Sequence, residues 1–322
     1  MKRATRVILL VLIVFGETAQ SQETWYGPGY QTMVMNNPAF AGSEYDGIMR
    51  LSYMNFYPGN NYNFHSFYIS YDSYMESLHG GAGMFLASDH IGNIMNDLRG
   101  GLTYSYFLQA GRDFYLNGGL SASFFRRGFS FRDAVFPDQI DAMGRITLPG
   151  NDLADSQSRT VFDVGTGMMF IFKNIAGGLA VTHLSRPDLN GKGSPEQRLE
   201  RKLFIHLSAD FGLKGWNQLR LVPAGSFEMQ GDYHSLTAGM VMESNYLSVS
   251  SMFIKGNTFG LDCQAGFSVK LERIALFYSY RFNIASGNRA MPFSLMHQTG
   301  LNFSFNNVEK RIKGRTINAP DV

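Results

Sequence analysis

The sequence contains a single cysteine, Cys263, in 322 residues. No intramolecular disulfide can form, which argues against a small stapled secreted scaffold. Charge is scarce as well: Asp, Glu, Lys and Arg make up 17% of the chain and the formal net charge is +2. A chain this close to neutral has no electrostatic case for nucleic acid. Only seven histidines occur, and no His/Cys cluster suggests a metal site. Past the first residues, no apolar run approaches the roughly 20 residues that a membrane helix needs. No catalytic constellation emerges either, so neither an enzymatic reaction nor a cofactor is expected.

What is present begins with an export signal. Lys2, Arg3 and Arg6 form a basic start, Val7 to Gly16 is apolar, and Ala19-Gln20-Ser21 offers small residues for cleavage. Residues 1–21 are therefore read as a signal peptide cut near Ser21/Gln22. Its removal takes away Lys2, Arg3, Arg6 and Glu17 and leaves the mature chain formally neutral. Glycine is abundant, at 35 residues against a typical share of about 7%. Aromatics reach 14%, with 27 Phe and 16 Tyr. Export, glycine, aromatics and no hydrophobic helix together suggest a membrane barrel, where only alternate residues must be apolar.

Period-two patterning carries that reading. In 257–271, Phe259, Leu261, Cys263, Ala265, Phe267, Val269 and Leu271 fall on one face. Gly260, Asp262, Gln264, Gly266, Ser268 and Lys270 fall on the other. Residues 203–214 repeat the pattern, with Phe204 as the exception on the polar face. Strands are expected near 47–57, 63–72, 81–89, 98–109, 113–126, 160–173, 175–185, 201–214, 217–230, 233–243, 246–254, 257–271, 273–284 and 297–306. The expected fold is an all-β transmembrane antiparallel up-and-down barrel of about fourteen strands. The connections segregate by length: tight turns alternate with long segments 127–159, 186–200 and 285–296. If the N-terminus is periplasmic, the tight turns are periplasmic and the long loops extracellular. Residues 22–46 are then a periplasmic N-terminal segment, 47–306 the outer-membrane barrel and 307–322 a basic periplasmic tail.

His206 and Asp210 share a strand face, and a solvated polar lumen explains them better than a proton relay or metal site. Lumen charges of both signs recur at Asp163, Lys214, Arg220, Glu228, Asp262, Lys270 and Arg281. A mixed set suits a cross-braced or plugged interior, whereas a selective channel favours one sign. Residues 298–305 read as an assembly signal for the barrel-assembly machinery, through Gln298, Gly300, Phe303 and Phe305.

The most informative string is Asn36-Asn37-Pro38-Ala39-Phe40-Ala41-Gly42, a tight non-helical turn ahead of the first strand. It resembles the opening motif of the PorP/SprF family, outer-membrane proteins of type IX secretion and gliding motility in Bacteroidota. Along the mature chain, Ser70-Tyr71-Asp72, Gly80-Gly81-Ala82-Gly83, Asp89-His90-Ile91-Gly92, Gly177 to Val181 with His183-Leu184, Pro223, Tyr278-Ser279-Tyr280 and Met296-His297-Gln298 are similar to further family motifs. Arg281 and Gln298 stand where the family usually carries acids. The family-motif residues are thus Asn37, Pro38, Ala39, Phe40, Ala41, Gly42, Asp72, Asp89, Gly92 and His297. The resemblance implies a non-enzymatic barrel that links the translocon or a surface cargo to periplasmic ring components. Implied partners are those ring or motor components, or a cognate secreted adhesin or cargo, besides outer-membrane lipid. The alternative is an outer-membrane pore for small solutes.

Overall fold

The computed structural model describes residues 31–56, 64–92, 94–130, 157–189, 198–213, 219–257, 260–285 and 296–305. The fourteen expected strands are all there. They are β1 (Ile48–Phe56), β2 (Phe64–Met75), β3 (Gly80–Ile91), β4 (Met95–Gln109), β5 (Phe114–Phe129), β6 (Gln157–Phe172) and β7 (Ile175–Thr182). Then follow β8 (Lys202–Ala209, resumed at Phe211–Gly212), β9 (Arg220–Gln230), β10 (Tyr233–Glu243), β11 (Leu247–Gly256), β12 (Leu261–Leu271), β13 (Ile274–Ala285) and β14 (Met296–Ser304). Each pairs antiparallel with its sequence neighbours, and β14 pairs back onto β1 from Met296↔Phe56 to Ser304↔Ile48. The sheet is closed, so no edge remains for other chains to add to.

Strands β3 to β6 run further toward one rim than alternation alone indicates, because polar residues there still find ladder partners. Strand β8 is interrupted at Asp210. Its last pair before the break is Ser208 with Ala224, and the next residue on β9 is Pro223. Proline has no N–H to give the ladder. On the other side of β8 the β7 ladder continues past the break, with the Asp210 N–H donating to the Asn174 carbonyl at 2.8 Å.

Closure separates the two faces. On β12, Asp262, Gln264 and Ser268 are buried in the lumen while Phe267, Val269 and Leu271 are exposed on the outer wall. The outer wall carries a continuous apolar surface of this kind, including Leu102, Leu120, Phe162, Leu207, Phe253 and Leu276. A soluble protein could not leave so much apolar area to water. Cys263 points to the same side yet is buried. It stands in register between Phe253 and Phe282, whose rings are large enough to cover a small neighbour.

Candidate functional site

The chain ahead of β1 lies inside the barrel. The sequence reading puts residues 22–46 outside it; the described part, from Gln31, occupies the lumen instead. Met33–Asn36 is one helical turn and Pro38–Phe40 a 3-10 turn. Asn37 joins them, and its side-chain oxygen accepts from the Ala39 N–H at 3.0 Å. Proline at the next position starts the second turn without losing a needed donor.

Three side chains of this segment reach three walls. Met35 packs on Met54, Tyr68, Ala87 and Met296 of β1, β2, β3 and β14. Met33 packs on Val222, Val241 and Met252 of β9, β10 and β11. Phe40 packs with Met169 of β6 and lies 4.9 Å from the His206 ring of β8. The segment therefore crosses the lumen as a stopper.

Glycines make its bed. A Cβ on Gly81 would sit 1.9 Å from the Ala41 oxygen, and one on Gly119 2.2 Å from the Ala39 nitrogen. One on Gly167 would sit 2.1 Å from Asn37 Oδ1, and one on Gly178 3.1 Å from Asn37 Nδ2. These four residues lie on β3, β5, β6 and β7, where bare backbone admits the stopper's backbone at Gly81 and Gly119 and the Asn37 side chain at Gly167 and Gly178. Gly42 has a φ of 69°, and its Cα abuts Gly81, so both conformation and space demand glycine.

Polar contacts hold the stopper in register. Asn37 Nδ2 donates to the Met168 carbonyl at 3.4 Å and lies 3.3 Å from His206 Nε2. Ser105 donates its hydroxyl to the Ala41 carbonyl at 2.5 Å. The Gly42 N–H donates to Asp72 Oδ2 at 2.8 Å, and Asp72 Oδ1 pairs with Arg50 at 2.5 Å. Arg50 also pairs with Glu44 at 2.5 Å. Just outside the strands, burial pushes the Tyr45 hydroxyl above its usual pKa, with Tyr74 and Tyr115 adding to the shift.

Beyond the stopper the lumen is cross-braced. Arg99 pairs with Asp89 at 2.6 Å and Arg127 with Asp97 at 2.7 Å, and both guanidinium groups flank the Phe125 ring. Asp163 accepts from the His183 backbone N–H at 2.8 Å and from the Ser185 hydroxyl at 2.6 Å. Arg281 pairs with Asp262 at 2.5 Å, and Lys202 with Glu228 at 3.6 Å. Glu243 gathers Arg220 and, at 3.8 Å, Lys270. Of the lumen charges expected from sequence, Arg220, Glu228, Asp262, Lys270 and Arg281 are in such pairs, Asp163 is hydrogen-bonded by His183 and Ser185, and Lys214 lies outside the described residues. The described ends of the β7–β8 connection, 183–189 and 198–201, also pack inward. Leu189 and Leu199 are buried against Phe125 and Val161, joined by a backbone bridge between Asp188 and Arg198. A cavity of about 40 Å³ remains beside the stopper, lined by Met35, Asn36, Arg99, Asp163, His183 and Lys202 among others. That suffices for a few waters, at about 10–15 Å³ each.

His206 and Asp210 take separate partners. His206 is sandwiched by Phe40 and Phe204, while Asp210 pairs with Arg220 at 2.8 Å. They form no dyad, and the stopper, rather than solvent, surrounds His206. Phe204, the exception to alternation, is explained by the same contact. Among the described residues, no group of three or more His, Cys, Asp or Glu could hold a metal ion.

The motif residues divide into two groups. Asn37 to Gly42 and Asp72 meet in the stopper. Asp89 braces the wall through Ser66 and Arg99, Gly92 sits in the β3–β4 turn, and His297 faces outward beside Tyr278. Gln298 reaches Ser52 across the β14–β1 junction at 3.0 Å, and Gly300 admits the Phe277 ring and the Leu51 carbonyl. Phe303 and Phe305 stack edge to face at 4.8 Å, and Phe305 meets Tyr71. Residues that alternation does not single out are Gly119, Gly167 and Ser105, whose importance depends on what crosses the lumen above them.

A closed antiparallel barrel with an apolar outer wall and an occluded polar lumen is an outer-membrane β-barrel protein. The profile of the type IX secretion system membrane protein PorP/SprF family matches residues 19–298. The chain belongs to the PorP/SprF family. No curated protein matches it in sequence. Among solved structures, a deletion mutant of the TodX monoaromatic hydrocarbon channel superposes with a TM-score of 0.52 at 12% identity, over 90% of this chain and 96% of that one. A second TodX deletion mutant gives 0.51 at 10% identity, over 85% and 94%. TodX comes from Pseudomonas putida. Omp33 of Acinetobacter baumannii aligns over 81% of this chain and all of that one, at 9% identity and a TM-score of 0.47. At such identities the likeness is one of barrel fold.

Proposed function

We propose that this barrel is a non-enzymatic scaffold of type IX secretion, linking the translocon or a surface cargo to periplasmic ring components. The observation that carries this is the stopper: Met33, Met35 and Phe40 reach opposite walls of the lumen on a glycine bed. A barrel built to keep its interior occupied offers its rims, rather than a passage, to other molecules. The wall supports this, since its lumen charges are consumed in pairs instead of forming a field of one sign.

The rims differ. Strands meet through 76–79, 110–113, 173–174, 244–246 and 272–273 at one end, where β1 also begins and β14 ends. The long connections 130–156, 183–201 and 286–295 belong to the other end. In this reading the short-turn end is periplasmic. Ring or motor components meet it there, with the 307–322 tail, and a cognate adhesin or cargo meets the long loops. Gln298, Gly300, Phe303 and Phe305 serve the barrel-assembly machinery during insertion.

The test is paired. Purification in mild detergent from the native cell should bring down a type IX component, and the pure protein in planar bilayers should conduct negligibly. Steady ion conductance with no co-purifying component would replace the scaffold with a small-solute pore.

A further inference from the structure

At the long-loop end of β13, β14 and β1 to β4, the outer wall carries a row that is not apolar. In register, His90 of β3 faces His65 of β2, His65 faces Asn55 of β1, Asn55 faces His297 of β14, and His297 faces Tyr280 of β13. Asn96 of β4 extends the row beyond His90. Their sequence neighbours Met54, Ser66, Asp89, Asp97, Met296, Gln298 and Arg281 are buried in the lumen, so the row itself points outward. Two residues along each strand the wall becomes amphipathic, with Ser88, Phe67, Tyr53, Thr299 and Tyr278. Two further on it is aliphatic, with Leu86, Ile69, Leu51, Leu301 and Leu276. That gradient marks the boundary between acyl chains and headgroups.

The chemistry of the row is specific. Every carboxylate on β13, β14 and β1 to β4 faces the lumen: Asp72, Asp89 and Asp97 are all buried there. Outward, the six strands present donors without a single acid. Tyr53 and Tyr278 hydroxyls lie 2.6 Å and 2.8 Å from Nδ1 of His65 and His297. With each hydroxyl donating, Nδ1 accepts and Nε2 carries the proton, aimed away from the tyrosine. Asn55 stands between them in register and brings an amide N–H donor to the row. Adjacent strands are about 4.8 Å apart, so His65 and His297 stand roughly 10 Å apart with Asn55 in the middle. Arg126 of β5, opposite Leu98 of β4, adds a guanidinium at the flank.

We infer that the His65–Asn55–His297 row is a binding site for the phosphate of an anionic lipid headgroup in the adjoining leaflet. The aliphatic tier beneath takes the acyl chains, and the two Nε2 donors and the asparagine amide take the phosphate oxygens. This does not depend on the proposed scaffold role, because it concerns lipid contact on the outward face of the strand ends, whatever meets the loops above them.

The test is native mass spectrometry of the full chain from dodecyl maltoside micelles doped with phosphatidic acid or with diacylglycerol of the same chains. The protein should retain phosphatidic acid and not diacylglycerol. The variant His65→Phe/Asn55→Leu/His297→Phe should retain it about tenfold less, the worth of one charge-assisted hydrogen bond. Its replacements are ordinary lipid-facing residues, so the barrel should survive, as circular dichroism melting would verify. Ser251→Leu, the same polar-to-apolar change on the exposed face of β11, should retain lipid like the parent. Equal retention by the triple variant, or equal retention of diacylglycerol, would overturn the site. So would a photocrosslinker at position 297 that captures a protein instead of lipid in cells.

Discussion

At the residue scale, the stopper depends on atoms that are missing from the wall. Gly167→Val would place side-chain carbon where Asn37 Oδ1 lies, 2.1 Å from the ideal Cβ. The stopper must shift, and overpacking of this kind costs about 1–3 kcal/mol. Bilayers should then show conductance for Gly167→Val that the parent lacks; an equally silent variant would mean that the stopper tolerates displacement without opening a path. Asp72 tests the anchor from the other side. It holds both the Gly42 N–H and Arg50. Asp72→Asn leaves Arg50 with Glu44 alone, in a site where removing one partner of a buried pair costs about 3–5 kcal/mol. Unfolding by urea from lipid vesicles should register a loss toward the lower end of that range. A change of a few tenths would remove Asp72 from the anchor.

At the element scale, a strand's two faces answer to different solvents. On β12, Phe267 is 48% exposed toward lipid and Asp262 is 0% exposed toward the lumen. Phe267→Lys should cost about 2–4 kcal/mol if it lies near the bilayer midplane, and it should lower the yield of insertion into vesicles. Asp262→Leu should insert normally, because the outer band is untouched. It nonetheless removes the carboxylate to which Arg281 and Asn283 are both bonded, so the inserted barrel should unfold more readily. Insertion yields in the opposite order would mean that the faces of β12 are exchanged. Alternation made these faces readable in 257–271. The interruption of β8 was not readable, because it arises where Pro223 of the next strand comes alongside.

At the scale of the whole molecule, the even strand count puts both ends of the barrel at one rim, and we propose from the segregated connection lengths that this rim is the periplasmic one. An epitope inserted within 127–159 should be detected on intact cells, whereas one after Val322 should need permeabilised cells. A C-terminal tag detected on intact cells would invert the barrel and move the ring-component proposal to the other rim. Deleting 307–322 should leave the barrel folded, since β14 ends at Ser304 and the Phe305 N–H already closes onto the Gly47 carbonyl. It should weaken only an association at that rim.

Alternating residues determined much by themselves. Period two sorts side chains to lipid or lumen in each strand separately, so strand positions, the faces of β12 and the mixed sign of the lumen charges are local properties of the chain, whereas their pairing across strands is not. The motif Asn37 to Gly42 was likewise visible as a string, and its turn chemistry followed from asparagine, proline and glycine. Its place was not. Gly81, Gly119, Gly167 and Gly178 become one groove only when β3, β5, β6 and β7 stand side by side around a curved wall. His65, Asn55 and His297 become one row only when β14 closes on β1, across more than two hundred residues of sequence. Closure is a long-range event with no local signature, which is why the occupied lumen and the outward polar row belong to the tertiary structure alone.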